Sequence, residues 1–127
     1  MTDRKLIEMA AEVMLNSYSP YSRIKVGAAV ECTDGSVFMG CTIENASIGS
    51  TICAEAAAIA SAVSAGKPSF KRIAIVTESN TYRLPCGECR QILSEFSPEV
   101  EVLSARADGR YVSYPLSSLL PMHFIKE

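Results

Sequence analysis

The chain has 127 residues, of which 48% are hydrophobic, and its 12 Lys and Arg against 14 Asp and Glu give a net charge of -2. This length fits one core, so residues 1–127 are predicted to form a single domain. The slightly acidic balance excludes the electrostatic footprint of a nucleic-acid or acidic-membrane partner. Neither a signal peptide nor a stretch of roughly 20 apolar residues is found. These features predict a cytoplasmic protein.

The five cysteines are an odd number, which argues against a disulfide framework. A reducing compartment keeps such residues as thiols. Metal ligands, a redox pair or small buried apolar residues are the interpretations that this leaves open.

The first half of the chain predicts a helix followed by a β-hairpin. Apolar residues at helical spacing indicate a helix from Asp3 to about Ser17. Two β-rich runs, 25–33 and 36–43, flank Asp34-Gly35, which is a two-residue hairpin signal. Two glycines interrupt these runs and are expected to allow close approach of another backbone: Gly27 and Gly40.

The second half alternates between helices and strands. An alanine-rich segment predicts a helix from about Cys53 to Ala65, which ends at Gly66. The other predicted elements are strands over 72–77, 100–104 and 111–114, a helix over 87–96 and a short helix over 116–120. The order α-β-β-α-β-α-β-β-α predicts a three-layer α/β domain with a mixed sheet.

Three cysteines and one glutamate occur in the order Cys-x-Glu and Pro-Cys-x-x-Cys: Cys53, Glu55, Cys86 and Cys89. This order is the signature of zinc deaminases. The cysteines are predicted at the beginnings of two helices, where free N–H groups and positive potential stabilise thiolates. If both helices begin at the same edge of the sheet, the three sulfurs meet. Thiolates favour zinc over magnesium or calcium.

Three protein ligands leave one tetrahedral position open, as in catalytic rather than structural zinc sites. Glu55 lies in the first helical turn beside Cys53. A carboxylate in that place can move protons between water and a substrate nitrogen. The set therefore suits hydrolytic deamination of an aromatic amidine.

Each of these residues also has an interpretation that involves no deaminase chemistry. Cys86 and Cys89 alone fit a redox pair, and Glu55 alone fits an acid that complements the helix dipole. A closed structural zinc site needs a fourth ligand, for which the sequence offers three residues: Cys32, Cys41 and His123. Cys32 and Cys41 lie in predicted strands and also fit as core residues.

Taken over nearly its whole length, the sequence resembles the cytidine deaminase family in its small homotetrameric form. The resemblance rests on Tyr18-x-Pro20-Tyr21-Ser22, Val26-Gly27-Ala28-Ala29, Ile43-Glu44-Asn45-Ala46-Ser47, Cys53-Ala54-Glu55, Pro85-Cys86-Gly87-Glu88-Cys89-Arg90-Gln91 and Leu119-Leu120-Pro121. It implies a three-layer α/β/α fold with a five-stranded mixed sheet, and active sites shared between subunits.

The resemblance also implies roles for individual residues. The three cysteines would hold Zn²⁺ and Glu55 would shuttle protons. Glu44 would bind the sugar hydroxyls of a nucleoside, and the Ala54 N–H would donate to the pyrimidine carbonyl oxygen. Phe124 matches a C-terminal aromatic residue that reaches the site of a neighbouring subunit.

Four positions depart from the family pattern. Thr42 replaces an Asn that binds the sugar, Ile24 a Phe that lines the base pocket, and Ile48 a Tyr contributed by a neighbouring subunit. Ala56 replaces an Arg that offsets the negative charge of the three thiolates. Arg90, next to Cys89, is then the obvious remaining cation, or else a solvated surface charge.

These observations favour zinc-dependent deamination of cytidine or deoxycytidine to the uridine product and ammonia. The alternative is another aminopyrimidine nucleoside, such as a modified cytidine or a blasticidin S-like compound. The similar blasticidin S deaminases also lack an Arg after the Glu, yet they do not keep the acidic residue that is Glu44 here. A silent zinc-binding protein and an RNA- or DNA-editing deaminase are the remaining possibilities; intact Glu55 argues against the first, and the acidic balance against the second.

Overall fold

The structure is a computed structural model that describes residues 1–126. Its helices and strands follow the predicted order. The helices are α1 (Asp3–Met14), α2 (Ala54–Ser64), α3 (Gly87–Phe96) and α4 (Leu116–Leu119); the strands are β1 (Val26–Cys32), β2 (Val37–Cys41), β3 (Phe70–Thr77), β4 (Glu101–Ala105) and β5 (Tyr111–Pro115). A short 3₁₀ turn spans Ile48–Ser50. None of the helices in this part of the chain has the length and apolar character to cross a bilayer.

The five strands form one mixed sheet in the order β2-β1-β3-β4-β5. β3 and β4 are parallel, and every other neighbouring pair is antiparallel. Every residue of the inner strand β1 is buried, whereas the edge strand β5 is largely exposed. The long apolar run of β3 therefore occupies the middle of the sheet, where both faces are covered.

Helices cover both faces of the sheet, which confirms the predicted three-layer α/β/α architecture. The buried side of α1 packs with alternate sheet residues on one face. The opposite face packs against α2, α3 and α4. Since successive strand residues point to opposite faces, strands β1 to β4 supply residues to both cores.

Two glycines allow the helices to approach the sheet closely, as predicted. A Cβ atom at Gly27 would lie 2.2 Å from the carbonyl oxygen of Ala10 in α1. One at Gly40 would lie 2.4 Å from the backbone nitrogen of Ala58 in α2. Both distances are shorter than van der Waals contact, so the close packing of α1 on β1 and of α2 on β2 requires glycine.

Two local boundaries differ from the prediction. The β1–β2 connection is longer than a two-residue hairpin: the N–H of Gly35 donates to Cys32 O, and Gly35 has a φ of 91°. A turn followed by a left-handed glycine is the usual three-residue connection. Helix α1 ends at Met14 rather than near Ser17. After Met14, the N–H groups of Asn16 and Ser17 form i→i-3 turn hydrogen bonds in place of the i→i-4 bonds of an α-helix.

Candidate active site

The three cysteines of the motif meet at the beginnings of α2 and α3. Cys53 and Cys86 are the N-cap residues of these helices, and Cys89 lies in the first turn of α3. β2 and β3 are both antiparallel to β1, so their carboxyl ends share one edge of the sheet. Because α2 follows β2 and α3 follows β3, both helices begin at that edge. The sulfur atoms lie within 4.8 Å of one another, as the sequence predicts.

The sulfurs are close enough to influence each other's ionisation. A hydrogen bond with the Cys89 thiol lowers the pKa of Cys53 to about 7, although burial and Glu55 oppose this effect. The same hydrogen bond, together with burial, raises the pKa of Cys89. The hydrogen bond between these two residues therefore favours the thiolate form at Cys53 over that at Cys89.

The cysteine cluster fits a zinc ion. Tetrahedral coordination with zinc–sulfur bonds near 2.3 Å requires sulfurs about 3.8 Å apart, which the observed 4.8 Å limit accommodates. Cys89 is buried, Cys53 is half-buried and Cys86 is exposed, so the cluster is open on one side. Soft sulfur donors suit zinc, and three of them leave a fourth position open.

Other ligand candidates lie apart from this cluster. Within residues 1–126, the closely spaced group of metal-capable side chains comprises Cys53, Cys86 and Cys89. Cys32 is buried in β1, and Cys41 is half-buried in β2. His123 lines a groove near the C-terminus. The structure therefore brings no fourth protein ligand from these residues, which disfavours a closed structural zinc site.

Glu55 is an acid that is almost completely buried, with 5% of its surface exposed. Burial raises its pKa, while a hydrogen bond from its own backbone N–H, a hydrogen bond from the Cys89 thiol and the charge of Arg83 act in the opposite direction. Raising the pKa of a carboxyl group moves it toward the range in which the group can both accept and donate a proton. Its position in the first turn of α2 places it beside Cys53.

A cavity of about 420 Å³ opens over the cysteines and Glu55. Its volume is within the usual range for small-molecule sites. The lining residues are Val26, Thr42, Glu44, Thr51, Cys53, Glu55, Arg83, Leu84 and Cys86. An antiparallel bridge between Ile43 and Ile52 fixes the two loops that supply Glu44 and Cys53.

Glu44 is held as a carboxylate at the side of this cavity. Its Oε1 accepts hydrogen bonds from the backbone N–H groups of Tyr21 (2.9 Å) and Ser22 (3.1 Å). Hydrogen bonding to Ser22 lowers the pKa of Glu44 most, and Tyr21 and Arg83 add to this effect. With one oxygen bound to the loop, the other remains available to a ligand.

The remaining predicted binding residues occupy different surroundings. Thr42 lines the cavity, and buried Ala54 begins α2 between Cys53 and Glu55. Ile24 packs against the hydrophobic core and does not line the cavity, whereas Val26 does. Phe124 is 71% exposed and lines the separate C-terminal groove. Within one chain, the structure therefore does not bring Ile24 or Phe124 to the cysteines.

Arg90 lies beside the cysteine cluster but its hydrogen bonds go to backbone carbonyl groups. Its Nε donates to Pro85 O (2.7 Å) and its Nη1 donates to Leu119 O (2.9 Å). The sequence left two interpretations open for Arg90: a cation that replaces the missing Arg near the sulfurs, or a solvated surface charge. The observed contacts instead fasten the residue before Cys86 to α3 and to the end of α4.

The sequence interpretation missed one charged residue of the cavity, Arg83. It lies in the connection between β3 and α3, in which the sequence predicts neither a helix nor a strand. The available signal was its position three residues before Cys86. Polarity alone does not say whether such a side chain points to solvent or to a site.

Comparisons with known proteins agree with this geometry. The sequence model for the "Cytidine and deoxycytidylate deaminase zinc-binding region" matches residues 1–104. The cytidine deaminase of Halalkalibacterium halodurans is 40% identical over 128 residues, covering 100% of this chain and 97% of that protein. The blasticidin-S deaminase of Bacillus cereus is 33% identical over 133 residues, covering 98% and 93%.

Solved structures show the same relationship. The crystal structure of cytidine deaminase from Burkholderia pseudomallei superposes with a TM-score of 0.93 at 42% identity, covering 98% of this chain and 100% of that one. That of cytidine deaminase from Mycobacterium tuberculosis gives 0.86 at 34% identity, covering 99% and 100%. With its cysteine cluster positioned to bind a metal, the chain belongs to the zinc-binding cytidine and deoxycytidylate deaminase family.

Proposed function

We propose that this protein catalyses the zinc-dependent hydrolytic deamination of cytidine and deoxycytidine to uridine and deoxyuridine, with release of ammonia. One observation supports this most directly. Three cysteine sulfurs lie within 4.8 Å of one another, and two of these cysteines, Cys53 and Cys86, line a cavity together with the buried Glu55. Family membership over the full chain agrees with the same reaction.

The proton chemistry belongs to Glu55. Cys53, Cys86 and Cys89 would hold Zn²⁺, which supplies a Lewis acid that makes water nucleophilic at neutral pH. Glu55 would take one proton from the attacking water and donate it to the ring nitrogen. It would then take the second proton, from the hydroxyl group now on the ring carbon, and pass it to the amino group, which leaves as ammonia. Burial keeps the pKa of this carboxyl above its ordinary range, which suits a group that must accept and release protons.

The cavity wall would hold the nucleoside. Glu44 would accept hydrogen bonds from the sugar, since its charged form is already stabilised by the loop that holds it. The Ala54 N–H, at the beginning of α2, would donate to the pyrimidine carbonyl oxygen. Thr42 would contribute a shorter polar contact, and Ile24 would support the pocket from behind by packing in the core.

Arg90 would act on the metal site indirectly. Its bond to Pro85 O fixes the backbone immediately before Cys86. We assign it this positioning role rather than direct neutralisation of the sulfurs.

We further propose that residues 1–127 form one domain that assembles into a cytoplasmic homotetramer acting on a small molecule rather than on nucleic acid or a membrane. Phe124 and Ile48 are 71% and 87% exposed, as expected of apolar residues that complete a neighbouring subunit's site. The zinc ligands must remain thiolates, which agrees with a reducing compartment.

Replacing Glu55 tests the mechanism. Glu55→Gln keeps the shape of the side chain but cannot carry the proton, so kcat for cytidine should fall roughly 10²- to 10⁴-fold. Zinc content, measured by atomic emission, should stay at the wild-type level because Glu55 is not a ligand. Turnover is followed as ammonia release and uridine formation.

The matched control is Glu88→Gln, which changes an exposed acid in the first turn of α3. It should retain wild-type kcat. Full activity in Glu55→Gln would contradict the assigned role, and absence of cytidine and deoxycytidine turnover by the zinc-loaded wild type would contradict the proposed reaction.

A second candidate is deamination of a modified cytidine or a blasticidin S-like compound. It is favoured by Ala56, the departures at Thr42 and Ile48, and the 33% identity to a blasticidin-S deaminase. Retained Glu44 favours the first candidate. Kinetics with a panel of aminopyrimidine nucleosides distinguish the two candidates. A higher kcat/KM for such an analogue than for cytidine and deoxycytidine would favour the second candidate over the first.

A further inference from the structure

Arg83 is a cation of the cavity wall to which the catalytic proposal gives no role. Its side chain lines the cavity together with Glu44 and Glu55. Its positive charge also contributes to the lowered pKa of Glu44. The ion pairs found among residues 1–126 do not include Arg83.

The backbone of Arg83 is fixed although its side chain is exposed. Its carbonyl oxygen accepts a hydrogen bond of 2.6 Å from the hydroxyl of Ser104, a completely buried residue of β4. Two residues after Arg83, the carbonyl oxygen of Pro85 accepts a hydrogen bond from Arg90 Nε. The backbone is therefore held at Arg83 and at Pro85, and the Arg83 side chain starts from a defined point at the cavity edge.

Glu44 and Arg83 have complementary hydrogen-bonding capacities. An ionised carboxylate only accepts hydrogen bonds and a guanidinium only donates them. The two groups share the cavity without forming a direct ion pair. A hydroxyl group can donate to the carboxylate and accept from the guanidinium at the same time, so a sugar hydroxyl satisfies both.

The charge of the cavity disfavours an anionic ligand. Three thiolates on Zn²⁺ leave a net charge of about -1, and the Glu44 carboxylate adds another. Arg83 offsets only one of these charges. A neutral nucleoside suits this balance better than a phosphorylated one.

We propose that Arg83 is a specificity-determining residue that, together with Glu44, binds a sugar hydroxyl common to cytidine and deoxycytidine. This inference rests on the proposed function, because it assigns a further contact to the same substrate. It also supplies a sugar contact on a wall where Thr42 offers only a short hydroxyl.

Kinetics with sugar-modified substrates test the assignment. Arg83→Ala should raise KM for cytidine roughly 10-fold or more, as expected for loss of a hydrogen bond from a charged group, and leave kcat within about twofold. Two analogues, 3′-deoxycytidine and 5′-deoxycytidine, each lack one sugar hydroxyl. For the analogue that lacks the hydroxyl bound by Arg83, wild type and Arg83→Ala should have similar KM values. Arg83→Lys should restore part of the affinity for cytidine.

The matched control is Arg110→Ala, which removes an arginine with 74% of its side chain exposed, just before β5. It should leave KM and kcat at wild-type values. Thermal midpoints of all variants confirm folding, because Arg83 has an exposed side chain whose loss should not affect stability.

Several outcomes would overturn the assignment of Arg83. For Arg83→Ala these are an unchanged KM for cytidine, the same fold increase in KM for every analogue, or a fall in kcat with no change in KM. A larger increase in KM for cytidine monophosphate than for cytidine would also contradict it. Calorimetric binding of uridine, 3′-deoxyuridine and 5′-deoxyuridine gives the same comparison without turnover. An inactive wild type that still binds uridine through Arg83 would thus contradict the proposed reaction and leave this inference supported.

Discussion

The role proposed for Glu55 conflicts with the stability of the fold. The residue is 5% exposed, and a charged carboxyl group in that position loses most of its hydration. Burial raises its pKa from an ordinary value of 4.5. Functional residues are often maintained at such a cost to the stability of the fold.

The sign of the pH dependence follows from this shift. Between the ordinary pKa and the raised one, the folded protein keeps a proton that the unfolded chain releases, so the contribution of Glu55 to stability falls as pH rises. Above both values the full penalty applies. We expect metal-free Glu55→Gln to unfold at a higher temperature than wild type above pH 7, by a few degrees if the gain is about 1 kcal/mol.

Thermal unfolding of both metal-free proteins from pH 4 to pH 8 measures this difference. The gap should be small near pH 4 and widen as pH rises. A gap that is constant with pH would indicate that Gln changes packing rather than removing a buried charge. Glu88→Gln again serves as the exposed control.

At the scale of elements, the site depends on how closely α2 packs on the sheet. Helix α2 places Cys53 at its N-cap and Glu55 in its first turn. Gly40 in β2 faces the backbone of this helix, where an added Cβ would lie 2.4 Å from the nitrogen of Ala58 and 2.8 Å from the carbonyl oxygen of Ala54. Neither atom belongs to a side chain that could rotate away.

Gly40→Ala should therefore push α2 away from the sheet and destabilise the fold by about 1–3 kcal/mol, the usual cost of overpacking. The denaturation midpoint measures this loss. The displaced N-terminus of α2 should also weaken zinc retention against a chelator. Gly49→Ala is the control, because a Cβ at that glycine meets no atom within 4 Å; equal stability of the two variants would contradict the packing argument.

The elements themselves were predictable because their signals are local. Apolar periodicity and the β-rich runs indicated the order of helices and strands, and motif spacing indicated Cys53, Cys86, Cys89 and Glu55. The direction of a loop side chain depends on distant contacts: Arg83 is placed by Ser104, 21 positions along the chain. Arg90 likewise binds Leu119 O, which no spacing rule near Cys89 could reveal.

At the scale of the whole molecule, apolar surface surrounds the cavity entrance. Ile48 is 87% exposed in the 3₁₀ turn. It lines a mainly apolar pocket of about 410 Å³ that adjoins the catalytic cavity, with Glu44 and Thr51 in the walls of both. Apolar surface of this kind, next to a binding site and rimmed by polar groups, is typical of a protein interface.

The proposed tetramer gives this surface a partner. We expect Ile48→Glu to weaken self-association roughly 30-fold or more, because an unpaired charge would replace a buried apolar contact at the interface. Sedimentation velocity over a dilution series measures the change. Since the neighbouring subunit would complete the site, cytidine turnover should fall at the same protein concentrations at which the assembly dissociates.

The control is Leu15→Glu, which alters an apolar residue with 64% of its surface exposed at the end of α1, the helix on the other face of the sheet. It should leave both association and turnover unchanged. If Ile48→Glu sediments like wild type, this surface is not the interface. If it dissociates but stays fully active, each chain contains a complete site, and the exposed Phe124 then has no catalytic role in a neighbouring subunit.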